Sequence, residues 1–371
     1  MGPTLAIIDH SSIHHNLSLI RQAIGHRKIM AVVKANAYGH GEVEVARTAI
    51  DFGCEYLGVA FIEEGLRLRT MGIDIPILVF GAHEPEYLIT GLSSKLSITA
   101  TSIQQLEVLR TILAGERSRL SIHLKIETGM HRVGLPVDQI DTALNLISKT
   151  KQLHLQGVYS HFATSDDPDQ SYAKLQLNRF LDIMSFAREK STSDLVFHMA
   201  NSGAIMSLPE SYLDLVRPGI MMYGYPPSPD FDISWPLREA LSLHSRLGLI
   251  KFIKKNEPIS YGRRFYTKED THIGVIPAGY ADGINRMNTN NAVVTIGDSM
   301  YPLVGTVCMD MVMVDLGPDL KHKVGDRVII YGDKIPVTAV AKRLKTIPYE
   351  ITCSVSSRVP RIHHSVNVEE S

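Results

Sequence analysis

The first part of the chain alternates short apolar segments with helical patterns, and this alternation narrows the choice of fold. Leu5–Asp9 is a short apolar segment that predicts a strand. Ser12–Ile24 and Tyr172–Lys190 predict helices, because their apolar residues recur every three or four positions. Eight more strands are predicted with helical patterns between them, and they are Ile29–Lys34, Tyr56–Ala60, Pro76–Phe80, Leu96–Thr99, Leu120–Ile126, Leu153–Ser160, Val196–Met199 and Leu213–Val216.

Eight βα units within about 220 residues is the number found in a (β/α)₈ barrel, whose typical length is ~250 residues. A doubly wound open sheet is the alternative, but it needs no eighth strand. It also usually carries a glycine-rich dinucleotide turn, and the sequence contains no GxGxxG motif. We therefore expect an α/β protein with an N-terminal (β/α)₈ barrel of the TIM type over residues 1–235.

After Leu241 the pattern changes to short β-branched segments bounded by glycine, which predict a mainly β C-terminal domain over residues 236–371. The proline-rich stretch Tyr225–Pro236 is the expected linker. Residues 1–10 are a candidate to pair with this second domain, and Val337–Leu344 predicts a helix. The clearest predicted strands of the domain are His272–Ile276, Ala292–Ile296, Tyr301–Val307, Met311–Leu316 and Val324–Tyr331.

Charge and cysteine content exclude several classes of protein. The formal net charge of −1 favours neither nucleic acid nor an anionic membrane surface as a partner. Cys54, Cys308 and Cys353 are too widely spaced to suggest a disulfide framework or a metal site. The N-terminus has no basic segment followed by an apolar core, and no apolar run approaches the ~20 residues of a membrane span. We expect a reduced, cytoplasmic protein without a metal.

Polar residues just after the barrel strands are the candidates for chemistry. In a (β/α)₈ barrel the reacting groups lie at the carboxyl ends of the strands. We therefore expect the polar residues at these positions to meet at one rim. They are Lys34, Lys125, Arg132, His161, Asn201, Ser202 and Arg217.

Lys34 ends a buried apolar segment within Ile29–Gly41, which reads IMAVVKANAYGHG. A lysine in this position is attached to a rigid strand and poorly solvated, and burial lowers the pKa of its amine. Those are the properties of a lysine that forms a Schiff base. The alternative is a lysine that extends its amine past the edge of the sheet into solvent.

The segment VVKANAYGHG resembles the cofactor-lysine motif of the alanine racemases, which use pyridoxal 5′-phosphate (PLP). The resemblance implies that Lys34 carries PLP in a covalent aldimine and that Tyr38 helps to hold the phosphate. Further family motifs follow in the expected order between about Leu5 and Pro360. They are LKIETGMHRVG, HMANSGAIM, RPGI, PISYGRRF, VGTVCMDMVMVDL and IPYEITCSVSSRVPR.

HMANSGAIM and RPGI resemble the phosphate-binding segments of this family. Asn201 and Ser202 stand where a strand gives way to a helix, and Gly219 and Ile220 offer backbone N–H groups. Such groups suit a phosphate. Taken alone, both stretches fit an ordinary helix cap or turn. Tyr349 matches a further family position that reaches the phosphate.

By the same resemblance, the guanidinium of Arg217 faces the pyridine nitrogen of PLP, and His161 forms a hydrogen bond that fixes it. Arginine is always charged and cannot accept a hydrogen bond, so it cannot stabilise a protonated ring nitrogen. The ring is then a weaker electron sink, which suits an enzyme that only removes and returns one proton. Without the resemblance, Arg217 would be a surface arginine and His161 a structural histidine.

Racemisation needs an acid/base group on each face of the α-carbon. The resemblance assigns Lys34 to D-alanine and Tyr261, in PISYGRRF, to L-alanine. A tyrosine normally titrates near ~10, so it needs help from its surroundings to act as a base. In this family the tyrosine comes from the second domain of the other subunit, which implies a head-to-tail homodimer. Taken alone, Tyr261 would be a packed aromatic beside a turn.

Three further positions concern the substrate carboxylate. Arg132 is its expected partner, since arginine pairs with carboxylates in a bidentate manner. Lys125 matches a lysine that is carbamylated in some family members, where the carbamate orients the arginine. Met309 matches the methionine whose backbone contacts the carboxylate. Met311 and Met313 are assigned to strand packing.

The sequence therefore predicts a PLP-dependent alanine racemase that interconverts L- and D-alanine with two bases and supplies D-alanine for peptidoglycan synthesis. One alternative is a racemase of broad specificity or for serine. A second is a non-catalytic PLP-binding barrel, but such proteins resemble the first domain alone. A PLP decarboxylase is disfavoured, because a carboxylate rather than Arg217 would be expected at the ring nitrogen.

Overall fold

The computed structural model of the protein describes residues 2–81, 85–191, 194–228, 230–231 and 234–364. Its strands are β1 (Leu5–Asp9), β2 (Lys28–Val32), β3 (Tyr56–Val59), β4 (Ile77–Val79), β5 (Ser97–Ala100), β6 (Leu120–Lys125), β7 (Leu153–Tyr159), β8 (Val196–His198), β9 (Leu215–Val216), β10 (Leu241–Arg246), β11 (Leu249–Ile253), β12 (Pro258–Ile259), β13 (Phe265–Tyr266), β14 (Thr271–Ile276), β15 (Val293–Ile296), β16 (Ser299–Val304), β17 (Val312–Gly317), β18 (Arg327–Tyr331) and β19 (Arg361–His364). Its helical segments are α1 (His10–Ile24), α2 (Lys34–Tyr38), α3 (Glu42–Phe52), α4 (Ile62–Thr70), α5 (Pro85–Ser93), α6 (Ile103–Ile112), α7 (Ile140–Ser148), α8 (Ser171–Lys190), α9 (Ser202–Ser207), α10 (Val337–Leu344) and α11 (Pro348–Cys353).

Strands β2 to β9 form a parallel sheet of eight strands in the order β8-β7-β6-β5-β4-β3-β2-β9. The first and last of them are neighbours, because Ile29 of β2 pairs with Val216 of β9. The backbone N–H of Asp214 donates to the carbonyl of Phe197 at 3.1 Å, which brings β9 beside β8 and closes the sheet. The predicted (β/α)₈ barrel is confirmed. Its strands are mainly apolar because helices cover the outer face and side chains fill the interior.

Helix α1 covers the barrel with the apolar stripe that the sequence predicts. Ile13, Leu17, Ile20 and Ile24 are all fully buried. The helix begins after Asp9, whose Oδ1 accepts a hydrogen bond from the backbone N–H of Ser11 at 2.9 Å and so satisfies one free donor of the first turn. Strand β1 and helix α1 therefore meet at a defined corner.

The second part of the chain is mainly β, as predicted. A sheet of nine strands has the order β11-β14-β17-β16-β15-β18-β10-β1-β19. Strand β1 pairs antiparallel with β10 and parallel with β19, so the N-terminal strand of the chain lies in this second sheet and not in the barrel. Helix α10 spans Val337–Leu344, which are the predicted bounds. None of the helices in the described ranges is long and apolar enough to cross a membrane.

Candidate active site

A left-handed turn follows strand β2 and presents Lys34 at the carboxyl end of the barrel. The strand ends at Val32, so its predicted extension to Lys34 is wrong. The four residues from Ala35 to Tyr38 have φ values between 52° and 54°, which is the left-handed region. This conformation costs roughly 1–2 kcal/mol per residue for a side chain with a Cβ. Contacts from elsewhere in the fold must therefore hold the turn.

One such contact comes from the second part of the chain. A Cβ at Gly39, which ends the turn, would lie 2.1 Å from the carbonyl oxygen of Thr352 in α11. Only glycine allows the two backbones to approach this closely. The turn thus lies against the helix that carries Tyr349, and the rings of Tyr38 and Tyr349 have centroids 5.7 Å apart.

The turn opens onto a cavity of about 250 Å³ at the carboxyl ends of the barrel strands. Eleven of the thirteen predicted site residues line it, which places them together as the expected rim requires. They are Lys34, Tyr38, Lys125, Arg132, His161, Asn201, Ser202, Arg217, Gly219, Ile220 and Tyr349.

The cavity is strongly cationic. Lys34, Lys125, Arg132 and Arg217 line it, and no aspartate or glutamate of the described residues does. Burial, followed by Arg132, lowers the pKa of Lys34. Burial together with the same arginine and Arg217 lowers the pKa of Lys125 to about 8. The cavity is therefore suited to an anionic ligand, and its lysines hold their protons less firmly than lysines in water.

Arg217 is buried and held by four hydrogen bonds, so the surface arginine that its sequence context alone suggested is wrong. Its Nη1 lies 2.8 Å from Nδ1 of His198. Its Nη2 donates to the carbonyls of Ser160 at 2.8 Å and Met199 at 3.0 Å, and lies 3.2 Å from Nδ1 of His161. Burial lowers its pKa to about 10, which still leaves it charged at neutral pH. The guanidinium has one fixed orientation toward the cavity.

Ser202 and Gly219 form a small polar corner of the cavity. The hydroxyl oxygen of Ser202 accepts hydrogen bonds from the backbone N–H groups of Gly219 at 3.0 Å and Met221 at 3.3 Å. Asn201 precedes the first residue of α9, and its Oδ1 accepts a hydrogen bond from the N–H of Ala204 at 3.0 Å. The segment of Asn201 and Ser202 thus begins helix α9, as the sequence predicts, and also lines the cavity.

Tyr261 and Met309 lie apart from this cavity. They line a second concavity of about 740 Å³ on the β domain, and both are exposed, by 73% and 52% of their surface. Tyr261 belongs to a short turn between β12 and β13, where its carbonyl accepts a hydrogen bond from Thr306 Oγ1 at 2.7 Å. Met311 is 50% exposed in the same concavity, so its assignment to strand packing is wrong.

Two residues that the sequence did not single out contact Arg217. Tyr159 stacks on His198 with ring centroids 4.8 Å apart and an interplanar angle of 5°. The guanidinium carbon of Arg217 lies 5.3 Å from the centroid of the Tyr159 ring, and Nζ of Lys125 lies 5.7 Å from it. A polar side chain at the last position of an apolar barrel strand is the signal that could have identified both residues.

Family models match two consecutive parts of the chain. The model described as the alanine racemase N-terminal domain matches residues 8–227, and that described as the C-terminal domain matches residues 240–363. Together they cover most of the chain, including every residue that lines the first cavity.

Relatives and solved structures agree with these models over nearly the full chain. Alanine racemase 2 of Caldanaerobacter subterraneus subsp. tengcongensis is 40% identical over 97% of this chain and 95% of its own. Alanine racemase 1 of Bacillus subtilis is 38% identical over 97% of this chain and 92% of its own. The structure of alanine racemase from Clostridium difficile 630 superposes with a TM-score of 0.94 at 34% identity, covering 99% of this chain and 97% of that one. The chain therefore belongs to the alanine racemase family.

Proposed function

We propose that the protein is a PLP-dependent alanine racemase that interconverts L- and D-alanine. The observation that carries the proposal is the cationic cavity at the carboxyl end of the barrel, where Lys34 and a buried, fixed Arg217 lie together. Enzymes of this family use PLP, and the names of the relatives agree with alanine as substrate. A racemase of broad specificity or for serine is the alternative, and these names do not favour it.

The residues that line the cavity fit PLP. Four cationic side chains line the cavity, and among the described residues no carboxylate lines it that would repel an anionic ligand. A Cβ at Gly219 would lie 2.6 Å from Oη of Tyr38, so glycine keeps a narrow polar space open. The backbone N–H of Ile220 and the hydroxyls of Tyr38, Ser202 and Tyr349 offer donors suited to a phosphate, and the N–H of Gly219, which donates to Ser202 Oγ at 3.0 Å, lies beside them. We assign the phosphate to Tyr38, Asn201, Ser202, Gly219, Ile220 and Tyr349, and the covalent link to Lys34.

When bound, PLP draws electrons from the α-carbon of an attached amino acid, which makes the α-hydrogen removable as a proton. Arg217, held in place by His161 and His198, faces the ring nitrogen in this proposal. Because the guanidinium only donates hydrogen bonds, it does not favour a proton on that nitrogen. Arg217 thereby limits the electron withdrawal to what proton removal and return require.

Two groups move the proton. Nζ of Lys34 takes the α-proton of D-alanine, and Oη of Tyr261 takes that of L-alanine from the opposite side. Burial and Arg132 lower the pKa of Lys34, so more of the amine is neutral and able to accept a proton near neutral pH. Arg132 pairs with the substrate carboxylate. Lys125 orients Arg132, as a carbamate if modified, because a lysine with a pKa of about 8 has an appreciable neutral fraction that can react with carbon dioxide.

A homodimer with shared sites completes this proposal. Tyr261 and Met309 lie in a concavity separate from the one that contains Lys34, and Tyr261 is 73% exposed. We propose that the second domain, residues 236–371, of each subunit presents both residues to the barrel, residues 1–235, of the other. Each site would then contain Lys34 of one chain and Tyr261 of its partner. We further propose that the enzyme is cytoplasmic and that its D-alanine supplies peptidoglycan synthesis.

Circular-dichroism polarimetry tests the activity directly. Purified protein with added PLP is incubated separately with L-alanine and with D-alanine, and both solutions are expected to converge on the racemic mixture. Lys34→Ala is expected to abolish both the conversion and the visible absorbance of the bound cofactor, whereas Lys95→Ala changes neither. Unchanged absorbance in Lys34→Ala would remove Lys34 from its role. Conversion of serine at a rate similar to alanine would favour the broader specificity.

A further inference from the structure

Glu64 is a buried carboxylate that neither lines the cavity nor forms an ion pair within 4.0 Å among the described residues. It lies in the first turn of α4. Its Oε2 accepts hydrogen bonds from the backbone N–H groups of Ala60 at 2.6 Å and Phe61 at 3.1 Å. These two bonds satisfy donors at the start of the helix, as a capping side chain does.

The second oxygen of Glu64 forms a contact that capping does not require. Its Oε1 accepts a hydrogen bond from the backbone N–H of Ala35 at 2.7 Å. This N–H belongs to the peptide group that joins Lys34 to the left-handed turn. The carboxylate thus connects the start of α4 to the one peptide plane that follows Lys34.

We propose that Glu64 is a positioning residue for Lys34. Its Oε1 fixes the peptide plane that follows Lys34, and the orientation of this plane sets the direction in which the lysine side chain enters the cavity. The inference rests on the proposed function, since it gives Glu64 its role through the proton transfer assigned to Lys34. Glu64 does not line the cavity, so it would act through Lys34 and not on a ligand. It stabilises a conformation that the residues from Ala35 to Tyr38 would not adopt in isolation.

The charge of Glu64 adds a second effect on the same lysine. Burial and Arg132 lower the pKa of Lys34, while Glu64 and, less strongly, Cys353 raise it. Lys125, whose own pKa Lys34 lowers, is a further cation that faces the amine. Removal of the Glu64 charge takes away the larger of the two contributions that raise the pKa of Lys34, so this pKa falls further. A neutral side chain that caps α4 at this position would have no such effect.

Glu64→Gln separates capping from positioning. The amide oxygen can still accept from Ala60 and Phe61, and the amide NH₂ then faces the N–H of Ala35, donor against donor. Glu63→Gln is the matched control, because it removes the same charge one residue away, where the carboxylate accepts a hydrogen bond from Tyr87 Oη at 2.6 Å. Glu64→Asp keeps the charge but withdraws the oxygens by about one carbon–carbon bond, ~1.5 Å.

The experiment uses each variant loaded with PLP. Kinetics with D-alanine are measured as a function of pH, and hydrogen exchange of peptides that contain the Ala35 amide is followed by mass spectrometry. For Glu64→Gln we expect kcat to fall about 10-fold or more with KM within about 3-fold. We expect exchange at Ala35 to accelerate about 10-fold or more, and the acid limb of the kcat profile to move to lower pH. Glu63→Gln should stay within about 2-fold of the wild type in kcat.

Each outcome decides the proposal. Kinetics and exchange in Glu64→Gln that match those in Glu63→Gln overturn it. A fall in kcat without a change in Ala35 exchange or in the acid limb indicates a general structural loss and also overturns it. If Glu64→Gln does not fold, Glu64→Asp decides alone. For Glu64→Asp we expect a lower kcat than in the wild type and an acid limb at the same pH. A wild-type kcat in Glu64→Asp would refute the positioning role. Absence of racemisation in the wild type would instead refute the proposed function.

Discussion

Nη1 of Arg217 lies 2.8 Å from Nδ1 of His198, and Nε2 of the same imidazole lies 2.9 Å from Nδ1 of His123. The guanidinium can only donate, so His198 accepts at Nδ1 and carries its proton on Nε2, which donates to His123. Burial and Arg217 lower the pKa of both imidazoles, that of His123 to about 3. Arg217 is therefore the only charged member of this chain of three.

Replacement of Arg217 by a carboxylate should change the product. Arg217→Glu places a hydrogen-bond acceptor opposite the proposed position of the ring nitrogen. We expect racemisation to slow by about 10-fold or more and transamination to become detectable, as pyridoxamine 5′-phosphate and pyruvate in chromatography after long incubation with alanine. Arg217→Lys, which keeps the charge, should form less of this product. Absence of any pyridoxamine product in Arg217→Glu would contradict the proposed role.

Tyr261→Phe should affect the two directions of the reaction unequally. Loss of a positioned base reduces proton transfer by about 10²–10⁴-fold. We expect exchange of the α-proton of L-alanine with solvent deuterium, measured by NMR, to fall by this order while the affinity for PLP stays unchanged. Tyr266→Phe is the control, since Tyr266 is another exposed tyrosine in the neighbouring strand β13. If PLP affinity falls as strongly as exchange, Tyr261 is structural.

Two inactive variants should restore activity when their subunits mix. In a mixed dimer of Lys34→Ala and Tyr261→Phe, one site contains both substitutions and the other contains both wild-type residues. After complete exchange, half of the dimers are mixed, so we expect about one quarter of the wild-type activity. Racemisation is assayed before and after exchange under mild denaturation and refolding. A mixture that stays as inactive as its components would show that the site is not shared.

Ionisation of buried Glu239 should lower the free energy of unfolding as the pH rises to neutral and above. Burial raises its pKa from 4.5 to about 7, and its Oε2 accepts a hydrogen bond from the N–H of Val337 at 3.1 Å. The folded pKa lies above the unfolded one, so the stabilisation is fully present below about 4.5 and is lost as the pH rises through about 7. Glu239→Gln keeps an acceptor and removes the titration.

We therefore expect Glu239→Gln to be more stable than the wild type at pH 8, by on the order of 1–3 kcal/mol, and close to it at pH 5. Urea unfolding at the two pH values measures the difference. Glu257→Gln, at an exposed position, should change neither value. An equal effect of Glu239→Gln at both pH values would exclude titration of Glu239 as the cause.

The regular elements could be predicted from sequence because their signals are local. The bounds of β1 and α10 follow directly from the apolar periodicity, and the polar residues after the barrel strands do converge on one cavity. Burial of Arg217 could not be predicted from its neighbours in sequence. It depends on two histidines, His161 and His198, and on carbonyls at the ends of other strands, which meet only when the barrel closes.

The left-handed turn after Lys34 could not be predicted either. Nothing in the letters KANAY indicates four consecutive residues with positive φ, since alanine and tyrosine disfavour that region. The conformation depends on Glu64 and on the close approach of Thr352, both distant in sequence. Tyr261 is a different case, because the role proposed for it depends on a second chain.

The pairing of β2 with β9 has a consequence for the order in which the protein is made. These strands are neighbours in the barrel, yet one is the first barrel strand to leave a ribosome and the other the last. Lys34 follows the early strand, and Arg217 and Gly219 follow the late one. A nascent chain that ends before Arg217 has the lysine without the arginine and without Gly219 of the polar corner. If PLP needs all the residues proposed to bind it, the cofactor would bind only after the last barrel strand has been made.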